Sequence, residues 1–87
     1  MSNEGNEVLH DAIMEVIDNQ INDNNPPETR QTLDRLIGEG HTEEEVKNLI
    51  GCVVAAEMFE VMKQGRAFDE KNFVAALKAL PELPSDD

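Results

Sequence analysis

Between Thr42 and Gly65 the chain reads TEEEVKNLIGCVVAAEMFEVMKQG, its longest apolar segment. Both ends carry helix signals. Thr42 followed by Glu45 forms a capping box, in which each side chain accepts from the other residue's backbone N–H, and Glu43 and Glu44 add charge that a helix N-terminus favours. Gly65, after Lys63 and Gln64, supplies the left-handed residue on which helices stop. At 100° steps, Val46, Ile50, Val53 and Val61 gather on one side with Leu49 and Val54 beside them. Ala55, Met58, Phe59 and Met62 cover most of the rest. A helix apolar on nearly all sides is either wrapped by neighbours or shared with a second subunit. Two carboxylates interrupt it. Glu57 projects between Val46 and Ile50, and Glu60 between Leu49 and Val53. Burying a carboxylate without a partner costs several kcal/mol, so each is expected to be paired, protonated or at an interface.

The remaining segments are short. From about Glu7, Leu9, Ala12, Ile13, Val16, Ile17 and Ile21 repeat at helical spacing, which predicts a first helix ending near Asn22. The turn-forming run Asp23-Asn24-Asn25-Pro26-Pro27 follows, with Asn25 as the expected N-cap of a second helix over about 26–38. That helix turns Leu33, Leu36 and Ile37 inward, and Arg30 and Asp34 stand four apart for an ion pair. After Gly65, Asp69 is the expected cap of a fourth helix. Phe68 can staple to Phe73, and Phe73, Val74, Leu77 and Leu80 face inward before Pro81 ends the element. No segment alternates as a strand does. The prediction is one all-α domain over residues 1–87, a compact four-helix bundle-like fold with a long central third helix. Its ordered core covers about 7–81, between polar ends expected to be flexible.

Charge and thiol content narrow the function classes. Seven Lys and Arg against nineteen Asp and Glu give a net charge of −12. Such a surface repels nucleic-acid backbones and anionic membranes but leaves basic proteins, cations and neutral partners open. Cys52, the single cysteine, permits no internal disulfide, which favours the reducing cytoplasm. Met1–Glu7 lacks the basic and apolar regions of a signal peptide, and the apolar run carries two carboxylates in too short a span to cross a membrane.

Several residues are candidates for chemistry. Glu7 and His10 have the Glu-x-x-His spacing of carboxylate-bridged metal sites in bundles, but such sites need the motif twice. His10, Glu57 and Glu60 are the metal-ligand candidates; as a half-buried residue, His10 would simply carry a hydrogen bond. If the first and third helices ran parallel, Gln20 would stand level with Glu57 and Glu60, and His10 level with Asn48 and Cys52. Gln20, Asn48, Glu57 and Glu60 are therefore the expected interface or buried polar cluster. Cys52 reads as packing rather than as a nucleophile, His41 as a cap neighbour, and Met14, Met58 and Met62 as core filler. Gly51, mid-helix at some cost in propensity, marks close approach of the first helix or of a second copy.

The succession Leu9-His10, Ile17-Asp-Asn-Gln20, Asn25-Pro-Pro-Glu-Thr29, Arg35-Leu-Ile37 and Phe68-Asp-Glu70 resembles a family of small bacterial proteins known as a domain of unknown function. The resemblance covers roughly residues 8–81. It implies an all-helical domain and brings no activity. It further implies relatives with a His at the position of Asn48 and an acid at that of Cys52, where those residues and His10 would hold a metal; this chain departs from that set at both positions. The expectation is a non-enzymatic interaction or regulatory module without cofactor, homo-oligomeric (a dimer) through its over-apolar third helix. Two other readings are carried alongside it. One is a divalent-metal-binding bundle, possibly enzymatic, using His10 and the inward glutamates. The other is a nucleic-acid mimic that blocks a basic partner.

Overall fold

The computed structural model describes residues 4–83, with side chains from Val8 onward. The ends expected to be flexible, 1–3 and 84–87, lie outside the described residues. Four helices account for the fold: α1 (Glu4–Asp23), α2 (Pro27–Gly38), α3 (Glu43–Gln64) and α4 (Glu70–Ala79). Among the described residues there is no strand.

Local signals set most boundaries. Thr42 accepts from the Glu45 N–H at 3.1 Å, and the Glu45 carboxylate accepts from the Thr42 N–H at 2.8 Å, completing the capping box of α3. Gly65 stops that helix at φ 62°, ψ 31°, a left-handed conformation open to glycine at little cost. Asp69 caps α4 by accepting from the Asn72 N–H, and the Phe68 and Phe73 rings meet at a centroid distance of 5.5 Å. The start of α2 differs from expectation. Pro26, not Asn25, occupies the cap position, in extended backbone and with no side-chain cap bond. Asn24 takes the left-handed conformation (φ 54°) that asparagine tolerates, and so the turn is spent one residue later than the sequence suggests. The first helix starts earlier, at Glu4 rather than near Glu7.

The core is formed by Ile13 and Ile17 of α1, Leu33 and Leu36 of α2, Val46, Ile50, Val53 and Val54 of α3, Phe73 and Leu77 of α4, and Leu80 just after it. Both α1 and α4 touch α2 and α3, but they do not touch each other among the described residues. The extents of 36 × 30 × 28 Å are nearly equal. A 22-residue helix alone is about 33 Å long, so four helices aligned side by side would give a body of this length but narrower in the other two directions. The helices therefore cross rather than run in register. Asp18 reaches Lys47 at 2.8 Å, while His10, two turns earlier, lines a cleft with Glu43, Glu44, Lys47 and Asn48. Both ends of that stretch of α1 abut the same few residues of α3. α1 therefore crosses this part of α3, which corrects the parallel arrangement expected from an up-down bundle.

Gly51 is the crossing point. It is buried, and a Cβ placed there would lie 3.1 Å from Met14 Cε, 3.4 Å from Ile13 Cγ2 and 3.8 Å from Ile17 Cδ1. The close approach inferred from its sequence position is thus to α1. Two long-range polar bonds fasten the other helices. The Thr29 hydroxyl, buried on α2, donates to Gln20 Oε1 at 2.9 Å. Arg35 Nη2 donates to the carbonyl oxygens of Leu77 and Lys78 at 3.2 and 3.5 Å, joining the Leu80 N–H on the first of them, and so covers the exposed carbonyl end of α4. Arg35 also pairs with Glu39, so the ion pair on α2 is this one rather than Arg30–Asp34.

The notch at Gly51 yields a paired prediction. Gly51→Ala presses on the flexible end of Met14 while gaining helix propensity, so unfolding free energy should stay level or rise by up to about 1 kcal/mol. Gly51→Leu cannot be absorbed and should lose roughly 1–3 kcal/mol. Chemical denaturation of both variants checks this; equal behaviour of the two would show that α1 does not pack at Gly51.

Candidate functional site

Glu57 is the one acidic side chain among the described residues that is buried, at 3% exposure. Its partners come from the chain that follows α3. Arg66 approaches with both terminal nitrogens, at 2.8 Å to Oε2 and 3.3 Å to Oε1. The Asp69 N–H donates to Oε2 at 3.1 Å and Asn72 Nδ2 to Oε1 at 3.0 Å. Four donors thus converge on one carboxylate. The Arg66 hydrogen bonds outweigh the opposing effect of burial and, with Asn72 and Asp69, hold the Glu57 carboxyl down at about 2, against 4.5 ordinarily. The same contact raises the Arg66 guanidinium. No donor is left over and no buried side-chain polar atom among the described residues lacks a partner. Glu57 is a structural tie between α3 and α4, with no lone pair presented to a ligand.

The other polar residues singled out by the sequence do not join it. Glu60 is half-buried at the helix surface and accepts from Gln64 Nε2 at 2.7 Å. It borders solvent because Leu49 and Ala56, its neighbours on the wheel, are only partly covered. Gln20 is taken by Thr29 on α2. His10 and Asn48 do line one cleft, of about 450 Å³, together with Met14, Glu43, Glu44 and Lys47. Both are exposed, and Lys47 stands among the acids there, bonded to Asp18 and to Glu43. Those bonds raise the Lys47 ammonium, Asp18 first. From Asn48 to Glu57 there is roughly 13 Å of helix, so His10 and the glutamates are not assembled into one site. Glu7's side chain lies outside the described ones. Among the described residues no group of three or more His, Cys, Asp and Glu is placed to hold a metal ion.

The larger departure from expectation is apolar. On α1, Leu9, Ala12 and Val16 were expected inward and are exposed; only Ile13 and Ile17 of that stripe are buried, with Ile21 partly so. On α3, Met58, Phe59 and Met62 are 45%, 59% and 78% exposed, and Cys52 and Ala55 are exposed beside them. Ile37 on α2 faces out as well, its place inside taken by Thr29 and Thr32. The flank of α1 carrying Met14 and Asp18 is turned toward the N-terminal half of α3. Beyond it, Ala55, Met58 and Met62 follow Gly51 on the same side of the α3 wheel and stay exposed. Met58, Phe59 and Met62 thus form an exposed apolar group on one helix, and isolated apolar residues scattered over a surface would not be so grouped.

No family model, curated protein or solved structure matches the chain. No helix among the described residues is long and apolar enough to cross a membrane.

The Glu57 tie has a pH signature. Its folded carboxyl lies at about 2 against an ordinary 4.5, so the stabilisation is full above about 4.5 and is lost as pH falls toward 2. That difference is worth on the order of 3 kcal/mol. Glu57→Gln should therefore be less stable at neutral pH and should show a flatter decline of stability between those pH values. Urea unfolding at a series of pH values measures it; parallel curves for the two proteins would mean that Glu57 carries no such tie.

Proposed function

We propose that this protein is a non-enzymatic protein-interaction module, and that the exposed apolar residues on the C-terminal half of α3 are the part that binds. The observation carrying this reading is the exposure of Met58, Phe59 and Met62, at 45%, 59% and 78%, within five residues of one helix. Leaving side chains of this size in water forgoes roughly 1.5–3 kcal/mol each. A chain of 87 residues has little stability to spare, since domains near this size bury a smaller fraction of their surface than larger ones. Covering the face by another protein recovers that free energy.

The polar groups support the same reading. Glu57 is consumed by the α3–α4 tie, and His10 stands apart from it in a shallow exposed cleft, so neither a nucleophile–base pair nor a ligand set supports catalysis. Cys52 on the same face, a single thiol open to solvent, supports a setting in the reducing cytoplasm.

The face can be tested in the cell of origin. With a photo-crosslinking residue in place of Ala55, irradiation should give protein adducts, whereas the same residue at Lys71 on α4 should give none of them. Adding Phe59→Ser and Met62→Ser should remove the adducts while changing unfolding free energy by no more than about 0.5 kcal/mol per site, as exposed positions do. Adducts that appear equally from both positions, or survive both substitutions, would end this reading.

A further inference from the structure

We infer that Met58 and Met62 are an oxidation site through which a peroxide turns off binding at the exposed apolar group of α3. This rests on the reading of that group as the part that binds and says how it is regulated. Exposure separates the methionines. Met62 is 78% open to solvent and Met58 45%, and Ala55, one turn before Met58 on that side of the helix, is exposed as well. Both side chains are open to a small oxidant. Met14 is not in the same position. It is half-buried, and its Cε lies 3.1 Å from where a Cβ at Gly51 would stand, so its end packs into the notch between α1 and α3.

The reaction is a two-electron oxygen transfer. A lone pair of the thioether sulfur attacks one peroxide oxygen, a sulfur–oxygen bond forms and the oxygen–oxygen bond breaks. The second oxygen takes up the proton of the first and leaves as water. Sulfur is oxidised to the sulfoxide, the peroxide is reduced, and no further reactant is consumed. A polar acceptor now stands where a flexible apolar end stood. In the free chain water meets that acceptor, so the fold is unaffected. Against an apolar partner surface the same oxygen would be buried without a donor, which opposes binding. Two of the three large side chains in the group change in this way, and only Phe59 stays apolar. Oxidation of Met14 has a different consequence, because its oxygen would enter the α1–α3 contact and loosen the fold. The two exposed methionines therefore respond at peroxide doses that leave the core intact.

Graded peroxide treatment of the full chain tests this. The protein with a photo-crosslinking residue in place of Ala55 is treated with hydrogen peroxide, mapped by peptide mass spectrometry, and irradiated in an extract of the cell of origin. Met62 and Met58 should become sulfoxides before Met14. Adduct yield should fall about tenfold or more in step with them, while the urea midpoint stays where it was. A thiol reductant, which reverses the early oxidation products of Cys52, should not restore the adducts. The two methionine sulfoxide reductases, one for each sulfoxide epimer, should restore them. Restoration by the thiol reductant alone would assign the effect to Cys52 and overturn the inference. Adducts that survive oxidation of both residues, or a loss that follows Met1 or Met14 instead, would overturn it too, as would a loss accompanied by a lowered urea midpoint. These outcomes leave the interaction surface in place. An untreated chain that gives no adducts ends the interaction reading itself, and this inference with it.

Discussion

One buried carboxylate governs how the second half of this molecule is put together. Glu57 lies on the core side of the central helix, where a charge can persist only if every lone pair is met. Arg66, the Asp69 N–H and Asn72 meet them, and all three come from the nine residues spanning the end of one helix and the first turn of the next. The left-handed step at Gly65 lets Arg66 turn back by two helical turns. Once Arg66 is in place, Asp69 is positioned to cap α4, and Phe68 reaches Phe73. A single ionic contact thus fixes the direction in which α4 leaves α3, and with it the packing of Phe73 and Leu77. Apolar residues of similar volume could stabilise that site as well, but they would not dictate the angle of the connection.

The first half relies on a different constraint, the missing side chain at Gly51. Close packing needs the two backbones to approach, and the glycine is where they do. Because the notch is one residue wide, it selects a crossing point without aligning the helices. Asp18–Lys47 and Gln20–Thr29 then fix the rotation of α1 about its own axis. That rotation buries Ile13 and Ile17 and leaves Leu9, Ala12 and Val16 outside.

Which features could be read in advance follows from this. The capping box at Thr42, the stop at Gly65, the Asp69 cap and the Phe68–Phe73 contact are local, decided by residues within one turn of one another, and the sequence states them directly. The anomaly of Glu57 was legible too, from its place among valines and isoleucines, although the choice between burial, a metal and an interface was not, nor was its partner: Arg66 lies beyond a helix break, and no periodicity carries across one. A cation soon after the terminal glycine was the available signal. The orientation of α1 had none. Its apolar arc is wider than the strip any neighbour covers, so the wheel fits several rotations equally well, and assuming aligned helices chose the wrong one. Gln20 was expected beside Glu57 for that reason and is found with Thr29. The same assumption hid the candidate site, because Met58 and Met62 look like core filler until the path of α1 is known.

The lack of contact between α1 and α4 among the described residues divides the domain in a way the helix count conceals. It is two overlapping three-helix units, α1–α2–α3 and α2–α3–α4, that share the α2–α3 pair. The polar ties follow the same partition: Asp18–Lys47 and Gln20–Thr29 belong to the first unit, Glu57–Arg66 and Arg35 with its α4 carbonyls to the second. Perturbations of the outer helices have no direct route to one another and combine additively unless the shared pair itself moves. Evolution can therefore retune the surface that α1 offers while the α4 side, locked by its carboxylate, holds the shared pair in shape.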